Sequence, residues 1–416
     1  MRVRIHRGAT EVGGSCVELN VEGERLVLDL GRPLWADADQ EVPLPDIPGL
    51  LDGRDPNLVG VVITHGHPDH YGLLDRISPN APVYIGDSAA RILNEAAFFT
   101  RGGQGLAPAG FLADGQPLQL GRFKVTPFLV DHSAFDAHAV LVEADGRRLF
   151  YTGDLRAHGR KPGTFQRLLD RPPTGVDVLL LEGTRLGRED PGEEEPSSEP
   201  DVEERCVEVC RRTRGMVLAC YSAQNIDRYV SIYKAALRSD RDLVIDLYTA
   251  AVAAATGRDS IPQVSWERVK VFVPLSQRIR VKEAGAFERV NAVRRARIFP
   301  EQLARERERL VMTFRASMAG DLERAGCLTG ATAIWSMWCG YLREPSSDRL
   351  HSFLEHHRIP LSTIHASGHA TVADLKRLAE AVGGDRIVPI HTAAPEMFAG
   401  AFGRSELQPD GIWWEV

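Results

Sequence analysis

The chain has 416 residues, too many for one small core, so two domains are expected. Its 43% hydrophobic and 26% charged residues are ordinary for a globular protein, and with no run of eighteen apolar residues no membrane span is expected. A net charge of −7 excludes a surface coated with basic groups for nucleic acid, but it leaves room for a local basic groove.

Met1–Arg7 alternates as a strand does and lacks the apolar run of a signal peptide, so the chain is expected to be cytoplasmic. A glycine-rich turn (Gly8, Gly13, Gly14) and two more strands follow, the second ending at Asp29 and Gly31. Asp29 has two readings: a partner for a metal-ligating histidine, or a turn cap.

Val61–Thr64 reads as the end of a buried strand. His65-Gly66-His67-Pro68-Asp69-His70 then places three imidazoles and a carboxylate in six positions. Such polarity at a strand end is costly unless something compensates it, and a bound metal does so. Gly66 is expected to allow tight backbone approach, and Pro68 to open a helix over 68–77 that turns Asp69 and His70 toward a neighbouring point. This is ligand supply for two adjacent metals. The competing reading is a histidine-rich surface loop, yet only 13 histidines are spread over the whole chain.

Ala81–Ile85 reads as a strand and Ser88–Phe99 as a helix. Three further strands end in the same chemistry: Phe123–Val130 before Asp131-His132-Ser133, Arg148–Thr152 before Gly153-Asp154, and Asp177–Leu181 before Glu182-Gly183-Thr184. Residues 189–204 are acidic and proline-rich, which reads as a surface excursion open to a basic partner.

Strands and helices then alternate. Val202–Arg212 and Asn225–Arg238 read as helices, and Met216–Cys220 and Leu243–Asp246 as strands of an inserted parallel sheet. Cys206 and Cys210 stand four apart on the first helix and read as buried thiols rather than a metal pair. Ala286–Arg309 is read as a solvated helix broken near Pro300. Trp335, Trp338 and Tyr341 cluster, and core packing is favoured there over base stacking. The basic clusters Arg211–Arg214, Arg278–Lys282 and Arg294–Arg297 leave a phosphate-binding groove open. Finally, Ser362–Ala370 reads as a strand and turn before the helix Val372–Val382, and Arg386–Ile390 as a last buried strand closed by His391.

His65–His70 resembles the H-x-H-x-D-H signature of metallo-β-lactamase-fold hydrolases. The later Ser367-Gly368-His369-Ala370 and His391, after an α/β insertion, resemble the β-CASP nucleases, and within them RNase J. Ser222-Ala223-Gln224-Asn225-Ile226-Asp227-Arg228 is similar to the segment that opens the inserted domain of that family. The resemblance implies an α/β fold: a metallo-β-lactamase αββα sandwich (1–188 and 361–416) interrupted by a β-CASP domain (189–360). It implies one metal on His65, His67 and His132 and a second on Asp69, His70 and His391, bridged by Asp154, with zinc the expected ion and manganese a possible substitute. Glu182, His369 and His391 stand where the group has its motif A, B and C residues. Glu182 would orient an imidazole, and His369 would contact the scissile phosphate or protonate the leaving oxygen. His365 and Ser367 are candidate phosphate contacts, although His365 has the alternative of only orienting its neighbours.

The implied activity is hydrolysis of single-stranded RNA, endonucleolytic with 5′→3′ exonuclease action a second mode. Three alternatives stay open: a single-stranded DNA nuclease, a small-ester or lactone hydrolase on the same metal core, and an RNA-binding scaffold. Two departures stand out. Thr392-Ala393-Ala394 follows His391 where RNase J has Gly-Glu, and the chain ends at Val416 before the usual C-terminal domain, which leaves a homodimer open.

Overall fold

Alternating and fully apolar runs build the strands of this computed structural model, which describes residues 1–36, 40–100, 103–188 and 198–416. Its contacts divide the chain into two units. One holds Met1–Leu93, Gln104–Asp190 and Gly368–Val416, the other Asn94–Gly103 and Pro191–Ser367.

The first unit opens with β1 (Arg2–Arg7), β2 (Cys16–Val21), β3 (Glu24–Leu28), β4 (Leu58–Val62), β5 (Val83–Gly86) and β6 (Gly110–Leu112). Next come β7 (Leu118–Leu120), β8 (Phe123–Leu129), β9 (His138–Ala144), β10 (Arg147–Tyr151) and β11 (Val178–Glu182). The second unit supplies β12 (Val217–Cys220), β13 (Asp242–Asp246), β14 (Val269–Phe272), β15 (Leu310–Thr313), β16 (Thr332–Trp335) and β17 (Leu361–Thr363). The chain then returns to the first unit with β18 (Arg386–Ile390) and β19 (Trp413–Glu415).

Two sheets stack in the first unit, in the orders β19-β1-β2-β3-β4-β5-β6 and β18-β11-β10-β9-β8-β7. Val3, Ile5, Val17, Leu19 and Leu28 of one meet Val125, Val140, Leu149, Leu180 and Val388 of the other in a shared core. Their outer faces are covered by helices. Leu93 and Ala90 of the helix Asp87–Phe99 pack on Val61 and Ile85, while Phe165 and Leu378 from two other helices pack on Leu141, Phe150 and Leu179. This four-layer helix–sheet–sheet–helix arrangement explains why β11 (VLLLE) is buried at all five positions: both of its faces are covered.

The second unit is one parallel sheet, β14-β13-β15-β12-β16-β17, with helices on both faces. Its last strand pairs in parallel with β16 (Trp335 opposite Thr363), so the chain re-enters the first unit at Gly368 rather than at 361.

Several local expectations are corrected. The helix expected over 68–77 is one turn, Pro68–Tyr71, followed by a 3₁₀ turn at Leu74–Arg76. The acidic stretch Glu189–Ser197 lies outside the described residues, but Glu199 beyond it is fully buried rather than solvated. Its carboxylate accepts from Arg228 at 2.9 and 3.2 Å and from the Ser231 hydroxyl at 2.7 Å. Residues 286–309 form two short helices, Phe287–Ala292 and Pro300–Glu306, and Pro300 starts the second instead of breaking a longer one. Trp335 is core, but Trp338 and Tyr341 are 49% and 44% exposed.

Candidate metal centre

The candidate ligands sit where strands of the two stacked sheets give way to loops. β4 leads into His65–His70, β8 into His132, β10 into Asp154 and β18 into His391, while Glu182 is the last residue of β11. The loops are held by backbone bonds. Ser15 N donates to Asp69 O at 3.1 Å, Leu30 N to His70 O at 2.8 Å and Arg32 N to Pro68 O at 2.9 Å. The close approach falls at Gly31, where a Cβ would lie 1.8 Å from Asp69 O. Gly66, expected to fill that role, has room for a Cβ at 3.4 Å from Leu93. Asp29 and His391 occupy the left-handed region at φ 58° and 52°, a conformation costing about 1–3 kcal/mol that the surrounding contacts hold.

Three groups of side chains converge: His65, His67, His132 and Asp154; Asp69, His70, Asp154 and His391; and Asp154, Glu182, His369 and His391. Within each group the ligand atoms lie within 4.8 Å of one another, and Asp154 belongs to all three. Asp154 Oδ2 is 3.2 Å from His70 Nε2, 3.6 Å from His65 Nε2 and 3.9 Å from His132 Nε2; its Oδ1 is 3.5 Å from His391 Nδ1. His391 Nε2 lies 3.1 Å from Asp69 Oδ2, and His67 Nδ1 lies 3.0 Å from His132 Nε2. His369 Nδ1 is 3.5 Å from Glu182 Oε1 and 3.7 Å from Asp154 Oδ2.

A ring of partners outside the cluster fixes the imidazoles. His70 Nδ1 donates to Asp29 Oδ2 at 2.7 Å, and His132 Nδ1 to the carbonyl of Gly368 at 2.6 Å. His65 Nδ1 meets the Thr64 hydroxyl at 3.0 Å, and that hydroxyl itself donates to Asp29 at 2.9 Å. Tyr151 adds a 2.8 Å bond to the same carboxylate, and the Thr184 hydroxyl lies 2.8 Å from His391 Nδ1. With Nδ1 so engaged, the Nε2 lone pairs of His65, His70 and His132 face inward. Sequence reading left Asp29 open and missed Thr184, Tyr151 and Gly368. Thr184 and Tyr151 adjoin strand ends that were flagged, which is the signal that could have found them.

The electrostatics follow from burial. It drives the imidazoles of His65 and His132 well below their usual range and that of His67 to about 4, so these rings are neutral. Burial opposes charge on His70 too, but Asp154 and Asp29 outweigh it and raise that ring. Burial opposes ionisation of Asp154, yet His391, His70 and His369 hold its carboxyl well below the carboxylate range.

The residues fit a cation. His65 Nε2 and both oxygens of Asp154 are buried and make no hydrogen bond among the described residues, a costly state that a bound metal ion relieves. Nitrogen and carboxylate donors without thiolate suit zinc and manganese. Cys206 and Cys210 are free and buried, and burial pushes both thiols up, Cys210 to about 11. His365 and Ser367 belong to the second unit, where His365 Nδ1 lies 3.4 Å from Arg228 Nη1.

Residues 34–219 match the Beta-lactamase superfamily domain. Ribonuclease J of Mycobacterium tuberculosis is 29% identical over 255 residues, 58% of this chain and 43% of the relative. Ribonuclease J of Sinorhizobium meliloti is 28% identical over 211 residues, 49% of this chain and 36% of the relative. These matches thus span less than half the length of either curated relative. A solved structure described as a protein of unknown function from Enterococcus faecalis V583 superposes with a TM-score of 0.81 at 20% identity, covering 100% of this chain and 99% of that one. No described helix is long and apolar enough to cross a membrane. The chain is thus similar to the Beta-lactamase superfamily domain over residues 34–219 and to Ribonuclease J in sequence.

Proposed function

We propose that the chain is a metal-dependent ribonuclease of the β-CASP type that hydrolyses phosphodiester bonds in single-stranded RNA. The observation that carries this reading is the sharing of Asp154 by the two ligand groups, His65–His67–His132 and Asp69–His70–His391, in a chain similar to Ribonuclease J. His65, His67 and His132 would hold one cation and Asp69, His70 and His391 a second, with Asp154 available to both. Such a pair would supply Lewis acidity and charge compensation for attack of water on a phosphodiester.

The protein's own groups do the rest. Asp69 and Asp154 balance the positive charge and fix where a substrate phosphate can lie. His369, half-buried at the edge of the cluster and facing Glu182, delivers a proton to the leaving oxygen or holds the phosphate. Glu182 keeps that imidazole in place, its other oxygen being tied by Thr184 N at 3.0 Å.

Incubation of the metal-loaded protein with a labelled 5′-monophosphate RNA, and with single-stranded DNA of the same sequence, tests this reading. RNA cleavage abolished in the His369→Ala variant supports it. DNA cut as fast as RNA would move the assignment to a DNA nuclease, and cleavage of neither would overturn it.

A further inference from the structure

The third sheet runs wholly parallel, and its strand order reverses about β12. From β12 the chain passes through the helix Ile226–Arg238 toward β13 and β14, whereas from β15 it crosses to β16 and β17 on the other side. The helix Ile226–Arg238 accordingly covers one face with Val217 and Ala219, and Ala319–Ala325 covers the opposite face with Leu218 and Met312. The loops that leave β12 and β15 diverge, and open parallel sheets take ligands in the crevice outside the carboxyl ends of such strands.

In this unit the crevice is a cavity of 470 Å³ lined by Tyr248, Phe314, Trp335, Tyr341, Arg315 and Glu344, among others. That volume is in the usual range for small-molecule sites. Four of those six residues are aromatic, and Tyr341 is 44% exposed. Arg315 is committed: its guanidinium is ion-paired with the buried Asp246 and sits 5.2 Å from the Tyr248 ring centre. With Arg315 neutralised and Glu344 adding a carboxylate, the lining disfavours a phosphate and favours a flat neutral ring with a polar edge.

We infer that this cavity takes one unstacked nucleobase of a single-stranded polynucleotide. The base stacks on the aromatic walls, and Arg315 and Glu344 meet its polar edge. Base–aromatic stacking is tolerant of sequence, since every base has a π-face, so the cavity grips the strand without selecting it. The polynucleotide as source of the base rests on the proposed nuclease function; the cavity's preference for a base does not.

The test uses the full chain without added metal and follows its tryptophan fluorescence, Trp335 being in the lining. Adenosine, AMP and ribose 5-phosphate are titrated in turn. Adenosine and AMP are expected to quench saturably with similar affinity, and ribose 5-phosphate to have no effect. Tyr341→Ala is expected to weaken adenosine about fivefold or more, and Tyr341→Phe to retain it. The inference is overturned if adenosine does not saturate, if ribose 5-phosphate competes as well as AMP, or if Tyr341→Ala binds as the parent does. Adenosine binding that is lost in Tyr341→Ala, in a chain that when metal-loaded cuts no polynucleotide, would remove the nuclease reading and keep the base pocket. RNA cleavage without adenosine binding would do the reverse.

Discussion

His70 Nδ1 donates to Asp29 Oδ2 at 2.7 Å, and the same carboxylate receives the hydroxyls of Thr64 and Tyr151. One buried acid thus orients an imidazole of the candidate metal cluster and ties three strand ends together. Asp29→Asn keeps the shape and tolerates the left-handed backbone at φ 58°, but it removes the charge. Loss of a partner of this kind typically lowers metal affinity by about 10–100-fold. Competition titration with a chromogenic chelator checks this, and an unchanged affinity would mean that Asp29 serves packing alone.

Metal removal is expected to destabilise the first unit. The cluster buries Asp154 beside His65 and His70, whose Nε2 atoms make no hydrogen bond among the described residues, so a cation that binds only the folded state stabilises it by mass action. The gain is about 4 kcal/mol when the free ion exceeds its Kd a thousandfold. Calorimetric unfolding with zinc, and with excess chelator, should differ by several degrees in Tm.

Replacement of His369 separates catalysis from metal binding. His369→Ala is expected to lower RNA cleavage by about 10²–10⁴-fold, the usual worth of a positioned proton donor. Metal content measured by mass spectrometry should remain that of the parent protein, because the other two ligand groups do not include this residue. A loss of bound metal in the variant would make His369 a ligand instead.

In the second unit, Asp246 caps the helix Leu247–Ala255 through Thr249 N at 2.9 Å, accepts from Gln277 Nε2 at 2.6 Å and pairs with Arg315. Burial opposes its charge, but Arg315 and these hydrogen bonds outweigh it and hold the carboxyl below its usual range. A carboxyl depressed in the folded state stabilises above its unfolded pKa of about 3.9, and that stability is lost as pH falls through the folded value. Asp246→Asn should therefore cost about 2–4 kcal/mol near neutrality, with the gap from the parent narrowing once pH drops below about 4. Urea unfolding of both proteins at neutral and acid pH measures it.

The candidate metal centre was legible because its side chains follow strand ends in short runs, and a strand end is a fixed point in a sheet. His65, His67, Asp69 and His70 needed no tertiary information to be grouped; His132, Asp154 and His391 were grouped by the repetition of one pattern. What stayed hidden depends on partners far away in sequence. Glu199 looked like part of a solvated acidic run, and only the fold brings Arg228 to it at 2.9 Å. Gly66 looked like the point of close approach, which the fold places at Gly31. Trp338 and Tyr341 have the composition of core residues, and nothing local says that the 3₁₀ turn Cys339–Arg343 after β16 leaves them exposed.

Both sheets of the first unit are closed by late-arriving strands: β18 beside β11, and β19 beside β1. β1 must therefore wait for nearly the whole chain before it gains one neighbour, while the strands β12–β17 of the second unit are contiguous and can pair earlier. Long-range closure of this kind slows folding. During synthesis the inserted unit should become protease-resistant first, and the candidate metal cluster, which lacks His391 until β18 has been made, should assemble after it.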